Sequence, residues 1–286
     1  MKILVLGSNG MAGHMLVQYF HEAGHDVTAF AREKGHHVKQ MIGDAADGCA
    51  LKQLLCENSY DIVINAIGVL NKAVDKNLAS GIYLNSVLPH FLAETLAESE
   101  TKLIHISTDC VFSGKKGSYE ETNCPDESSY YGRSKALGEI NDDRNLTIRT
   151  SIIGPELKSN GVGLYHWFMK QNGSVNGFTN VLWSGVTTLE LAKAMDAAIR
   201  ENLVGLYHLS NNKKISKFEL LQLFNKHMRN HEVTIIPDDS VISDKSLRNT
   251  RTDFSYEVPD YEEMIEELAY WIKQHEDLYT QYNIKC

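Results

Sequence analysis

Tyr131 and Lys135 stand four residues apart in "YYGRSKALGE", residues 130–139. At the start of a helix that separation puts both side chains on one face. A phenol ordinarily ionises at about 10, far from neutrality. A neighbouring ammonium favours the phenolate and makes the pair a usable acid–base group. The pair could then hand a proton to a carbonyl oxygen as a hydride reaches its carbon. Tyr130 lies off that face, which leaves Tyr131 as the candidate donor. The same spacing also arises as an ordinary surface pair on a helix, so context decides. Upstream, "KLIHISTDCVFSG" is an apolar run ending in Ser107, Thr108 and Asp109. Hydroxyls at a strand end could polarise a substrate oxygen, although they equally serve to cap a turn.

A second constellation lies at the N-terminus. "KILVLG" reads as a buried strand, and Gly7-Ser8-Asn9-Gly10-Met11-Ala12-Gly13 leads from it into an amphipathic helix. Glycines at such a turn let a pyrophosphate approach the backbone, and the helix start offers free amides and a positive dipole end. The spacing is GxxGxxG, and it predicts a dinucleotide held by Gly7, Asn9, Gly10, Met11 and Gly13. The second strand, "HDVTAFAR", ends without a carboxylate and is followed by Arg32. A guanidinium there suits a ribose 2′-phosphate, which favours NADP(H) over NAD(H); the alternative is a solvated Arg32 with Glu33 on the ribose. Asp44, ending the third strand, could accept from an adenine amino group. Asn65 to Gly68 end the fourth strand, where Ala66, Ile67 and Gly68 would border the ligand.

The elements that position these residues alternate regularly. Strands are expected at "KILVLG", "HDVTAFAR", "HHVKQMIGD", "YDIVINAIG", "KLIHISTD" and "NLTIRTSIIG", with helices between them. "IYLNSVLPHFLAETLAES" reads as a helix kinked at Pro89. Strands too apolar to expose either face imply an α/β fold, a doubly wound parallel sheet of the Rossmann type. After Gly154 the pattern loosens, and "GLYHLS" is expected to return to the sheet. The dinucleotide-binding domain is then residues 1–157 plus about 187–210. A smaller, mainly helical substrate lobe takes about 158–186 plus 211–286.

Bulk properties remove several alternatives. The formal charge of −9 over 286 residues, with both signs mixed along the chain, lacks the positive face that nucleic-acid binding needs. No apolar run is long enough to span a membrane and no signal peptide is read, so a cytoplasmic protein is expected. Cys49, Cys56, Cys110, Cys124 and Cys286 form no CxxC pair, and buried free thiols in a reducing cytosol are expected. His36 and His37 are read as surface or loop residues, and no metal-ligand spacing is present. Arg248 and Arg251 could grip a substrate diphosphate; a surface role is the alternative. Trp183 could stack on a base or sugar or belong to the core. Oligomeric state is not readable, though a homodimer is the commonest symmetric outcome.

"GSNGMAG", "VINAIG", "ISTDCVFSG", "YYGRSKALGE" and "IRTSIIG" together resemble the extended short-chain dehydrogenase/reductases. More narrowly the chain resembles the dTDP-4-dehydrorhamnose reductase family, nearly throughout but most over residues 1–154. The resemblance implies a catalytic Thr108–Tyr131–Lys135 set. Thr108 would bind the substrate C4 oxygen, Tyr131 would supply the proton, and Lys135 would bind the nicotinamide ribose and tune the phenol. The reaction implied is NADP(H)-dependent reduction of a nucleotide-linked 4-keto-6-deoxy sugar for cell-surface polysaccharide synthesis, with Ser107, Asp109, Trp183, Arg248 and Arg251 as candidate substrate contacts. Sugar-nucleotide dehydratases carry Asp-Glu after the threonine, whereas this chain has Asp109-Cys110. The family usually has tyrosine at Cys110, an Arg-Pro element where "SDKSLRNTRTDF" stands, and Pro-Thr within "LWSGVTTLELA". These departures leave the exact substrate open, with a UDP-linked deoxy-amino sugar as the rival; an epimerase that keeps its NAD bound and a non-catalytic NADP-binding regulatory protein are the alternative readings of the chain.

Overall fold

The computed structural model describes residues 1–36, 39–282 and 284. Its first half is the expected alternation: β1 (Lys2–Leu6), α1 (Met11–Glu22), β2 (Asp26–Ala31), β3 (Gln40–Ile42), α2 (Gly48–Glu57) and β4 (Ile62–Asn65). Two short helices follow, α3 (Asn71–Lys76) and α4 (Leu78–Ile82), then α5 (Leu88–Leu96), β5 (Lys102–Thr108), α6 (Tyr130–Leu137) and β6 (Leu146–Thr150). Beyond these come β7 (Ile152–Ile153), α7 (Leu164–Met169), β8 (Ser174–Phe178), β9 (Val181–Trp183), β10 (Val186–Thr187), α8 (Thr188–Arg200) and β11 (Gly205–His208). The chain ends with β12 (Ile215–Ser216), α9 (Lys217–Met228), β13 (Thr234–Asp238), β14 (Ser243–Asp244) and α10 (Tyr261–Gln274).

Among the described residues seven strands form one sheet in the order β11-β6-β5-β4-β1-β2-β3. Every pairing in it is parallel. Such a sheet needs cover on both faces, and Ile3, Leu4, Val5 and Leu6 of β1 are accordingly fully buried. On one face the core continues through Met15, Leu16 and Phe20 of α1 to Phe224 of α9 and Leu268 of α10. Leu51 of α2 and Leu88 and Leu92 of α5 cover the other. "GLYHLS" does return to the sheet, as β11 beside β6. Small sheets β10-β7, β12-β9-β14 and β13-β8 are also present; apart from β7, which continues the expected sixth strand, their strands lie where the sequence pattern suggests only loops and helices.

The strand order reverses between β1 and β4, so the loops after those strands part and leave a crevice. Gly7 has a φ of +81°, and α1 folds back so tightly that a Cβ on Gly13 would stand 2.2 Å from the Gly7 carbonyl oxygen.

The helix expected around Pro89 differs in an informative way. Residues Tyr83–Val87 form a π-helical turn between α4 and α5, and Pro89 sits in the first turn of α5. The helix runs on unbroken through Val87 and Leu88, so Pro89 removes one donor from it, and the wider turn before it absorbs the distortion. The cysteines also differ from expectation. Cys49, Cys56 and Cys124 are exposed free thiols and Cys110 is partly buried. The inward positions of α2 go to Leu51, Leu54 and Leu55, which turns Cys49 and Cys56 outward. Cys286 and His37 lie outside the described residues; His36 is exposed, as a surface residue should be. No helix of the described residues is long and apolar enough to cross a membrane.

Because the Gly13 contact is backbone against backbone, Gly13→Ala is expected to destabilise the fold by about 1–3 kcal/mol through overpacking. Denaturant unfolding of the variant measures this, and unchanged stability would show that α1 can move aside freely.

Candidate active site

The crevice encloses a cavity of about 300 Å³ bordered by Gly7, Asn9, Gly10, Met11, Arg32, Asp44, Ala66, Ile67 and Gly68. Sequence reading named all of these; Gly13 supports the turn from behind. The Asn9 side chain donates to the Glu33 carbonyl at 2.8 Å, tying the glycine turn to the segment after β2. Asp44 accepts from the Ala46 amide at 3.0 Å and so also shapes its own turn. Arg32 and Glu33 border the same cavity. Glu156, Leu157 and Lys158 close it from the far side, a wall that no sequence motif announced. The start of α1, close glycines and a bordering guanidinium fit a dinucleotide.

On the strand next to β4, the end of β5 meets the start of α6. Ser129 caps α6 by accepting from Gly132 N. The helix approaches the turn after β5 so closely that a Cβ at residue 132 would lie 2.4 Å from the Cys110 carbonyl oxygen. Thr108 Oγ1 accepts from the Cys110 amide and donates to Asp109 Oδ1, both at 3.1 Å. Tyr131 is buried beside them, while Tyr130 is exposed. Burial pushes the Tyr131 phenol up, Cys110 and Asp109 push it further, and only Thr108 pulls it back. The phenol is therefore held protonated.

Lys135 is buried too, but its amine does not bond the phenol. It donates to the Ile106 carbonyl at 2.7 Å and meets His105 Nε2 at 3.3 Å. Burial lowers its pKa to about 8 from the ordinary 10.5, against a smaller opposing pull from Glu139. The expectation that this ammonium lowers the phenol is therefore not met by the protein's own contacts, because Ile106 and His105 engage the amine first.

The remaining candidates separate cleanly. Asp109 is buried next to Thr108; burial raises its carboxyl, and Lys217 is the largest opposing influence. Ser107 points to the other face of β5, as strand alternation requires. Its hydroxyl donates to Glu139 Oε1 at 2.6 Å, so it is no substrate contact. Arg251 is likewise committed, to Asp253 and to the carbonyls of Val204 and Leu206 at 2.7 and 3.0 Å; it cannot also grip a diphosphate. Arg248 keeps its side chain 63% exposed, with a loose pairing to Glu120 at 3.7 Å. Trp183 is a core residue, packed on Tyr261 with the Lys217 amine 5.2 Å from its ring centre. Among the described residues no His, Cys, Asp and Glu cluster could hold a metal.

Sequence reading missed Lys217, the first residue of α9, whose burial lowers it to about 8 while Asp109 pulls it up. It also missed Asn85 in the π-helical turn. That amide accepts from Val69 N at 2.8 Å and donates to Val69 O at 2.9 Å and Ser134 Oγ at 3.0 Å. The asparagine in "YLNSVLPHF" was the only available signal, and it names no partner.

The RmlD substrate binding domain model matches residues 1–267. The chain belongs to that family. The spore coat polysaccharide biosynthesis protein SpsK of Bacillus subtilis is 27% identical over 224 residues, covering 76% of each chain. A probable low-salt glycan biosynthesis reductase, Agl14 of Haloferax volcanii, is 32% identical over 162 residues, 54% of each. In structure the chain is similar to a dTDP-4-dehydrorhamnose reductase from Bacillus anthracis solved with NADP. There the TM-score is 0.80 at 21% identity, over 95% of this chain and 99% of that one, which shows a common fold.

Holding Lys135 near 8 instead of 10.5 costs about 3 kcal/mol of stability at pH 7, at 1.36 kcal/mol per pKa unit. The cost is fully present below pH 8 and fades between about 8 and 10.5, where the unfolded chain binds the extra proton. Lys135→Met should therefore raise the melting temperature at pH 7 and narrow its lead above pH 9. A melting temperature that falls at both pH values would contradict this account.

Proposed function

We propose that the protein is an NADP(H)-dependent reductase of the C4 ketone of a nucleotide-linked 4-keto-6-deoxy sugar, working in the cytoplasm on a precursor of cell-surface polysaccharide. The observation that carries the reading is a buried phenol, Tyr131, held protonated beside the Thr108 hydroxyl at the end of β5, the strand next to β4, whose following loop lines the glycine-bordered cavity. Family membership and the names of SpsK and Agl14 support the sugar class. Arg32 at the cavity end supports the extra phosphate of NADP. Three exposed free thiols suit a reducing compartment.

The bound nicotinamide supplies hydride to the ketone carbon. Thr108 orients the ketone oxygen by a hydrogen bond, and Tyr131 gives its proton to that oxygen as negative charge builds on it. The product is the alcohol, and solvent restores the phenol. Lys135 fixes the ligand's ribose and offers positive charge near Tyr131 once the phenolate forms. Elimination of water is disfavoured at this site, because Cys110 stands where a dehydratase has glutamate. Burial and Asp109 drive that thiol up to about 12, so it cannot serve as a base near neutrality.

Mixing the protein with NADPH and dTDP-4-dehydrorhamnose should consume the reduced nicotinamide. Tyr131→Phe should cut kcat by roughly 10²–10⁴-fold, the usual span for a general acid; undiminished turnover would falsify the assignment. UDP-linked 4-keto deoxy-amino sugars are the comparison substrates, and tightly held NAD without net consumption would indicate an epimerase. Separately, Arg32→Ala should weaken NADPH binding by about ten- to hundredfold, the worth of one charge-assisted hydrogen bond, and leave NADH binding nearly unchanged. Equal losses for both dinucleotides would move the 2′-phosphate elsewhere.

A further inference from the structure

Asn65 of β4 and His105 of β5 are register partners, and both are fully buried. The Ile67 amide donates to Asn65 Oδ1 at 3.1 Å, which fixes which end of the side-chain amide faces the histidine. That end is Nδ2, 3.2 Å from His105 Nδ1. An amide nitrogen only donates, so Nδ1 must be the bare nitrogen and the neutral ring carries its proton on Nε2. This N–H points at the Lys135 amine, 3.3 Å away.

An ammonium has three donors and no lone pair. Facing His105 Nε2–H, it would oppose donor to donor. An amine fits instead, accepting from His105 and donating to the Ile106 carbonyl at 2.7 Å. A buried head-on donor pair costs about 1–3 kcal/mol, or roughly ten- to hundredfold in proton affinity. Added to the lowering that burial already imposes on Lys135, this moves the balance further towards the neutral amine. The other groups facing the pair do not reverse the balance. Glu139 favours the ammonium but is held by Arg149 and Ser107. His90 on α5 works against charge on His105, as does Lys135 itself, and burial exceeds both. Tyr131, on the same helix as Lys135, is kept neutral.

We infer that His105 is a positioning residue whose tautomer, set by Asn65, keeps Lys135 as a neutral amine until a dinucleotide binds, and that binding takes up one proton at Lys135. The inference rests on the dinucleotide reading of the cavity. The phosphates bring negative charge that favours the ammonium, and the protonated amine then lets go of His105 and turns its donors to the ligand.

Two measurements test this. In ¹⁵N-labelled protein at neutral pH without dinucleotide, His105 should show a bare Nδ1 and a protonated Nε2; the opposite tautomer or an imidazolium would overturn the inference. Calorimetry of NADPH binding at pH 8, in buffers of different ionisation enthalpy, should give close to one proton taken up. In His105→Gln the side-chain carbonyl can accept from an ammonium, so uptake should fall towards zero and the pH midpoint of NADPH affinity should move up by a unit or more. Equal uptake in both proteins, or tight wild-type binding without uptake, would sink the proposal. Failure of NADPH to bind the wild type would instead sink the cofactor reading and the uptake with it, while the ring-nitrogen measurement would still decide the role of His105.

Discussion

The site depends on α6 being fastened to the ends of β5 and β6. Its fastening is polar and buried. At the C-terminal side Glu139 accepts from Arg149 Nε and Nη2, both at 2.6 Å, with the two side chains only 7% and 3% exposed. Ser107 joins the same carboxylate. In the middle, Lys135 bonds Ile106, and Ser134 is tied to the π-helical turn by Asn85 and Ser86. At the N-terminal side the absence of a Cβ on Gly132 lets the helix meet the turn after β5. A buried ion pair is weak evidence of net stability, but removing one partner strands the other. Such contacts therefore specify one position for α6, and the distance from Tyr131 to Thr108 follows from that position.

Burial then sets the chemistry. Around Thr108 the low dielectric favours the neutral form of each ionisable group: phenol, thiol and carboxyl rise, and the Lys135 and Lys217 amines fall. A proton donor in such surroundings costs little to keep protonated. It releases its proton when charge grows on an oxygen that Thr108 already holds. The price of this arrangement is a lysine buried below its ordinary pKa, a loss of stability accepted where activity requires it.

Much of this was legible in the residues because it follows from short-range rules. Apolar runs such as Lys2–Leu6 and Ile62–Asn65 can only be central strands, and a glycine turn between strand and helix leaves few alternatives. Strand period also contained the fate of Ser107, since neighbours on a strand face opposite ways, yet adjacency to Thr108 drew attention first. What could not be read was long-range partnership. Nothing near Arg251 in the sequence reveals the carbonyls of Val204 and Leu206, and nothing near Asn85 reveals Val69. The small sheets pair β13 with β8 and β14 with β9, segments about 60 residues apart. None of those strands has an apolar run strong enough to announce itself.

The two sides of Thr108 differ in what they constrain. Towards the cavity the glycine turn, Asn9 and the loop after β4 are locked by backbone geometry, so the cofactor half tolerates little variation. Towards Asp109 and Cys110 the surroundings are side chains from distant segments. Lys217 comes from α9, and Lys245 comes from the segment after β14, where it is held by Glu127 at 2.7 Å. Both lysines act on Asp109 and Cys110. The segment that carries Lys245 is also one in which the chain departs from the reductase pattern. Changing such side chains alters which polar groups a ligand meets without moving α6 or β5. A single proton-donor geometry can thus be kept while the neighbouring surface is rewritten, because the helix that carries Tyr131 takes its position from Glu139, Arg149 and Ser134, none of which lies on the variable side.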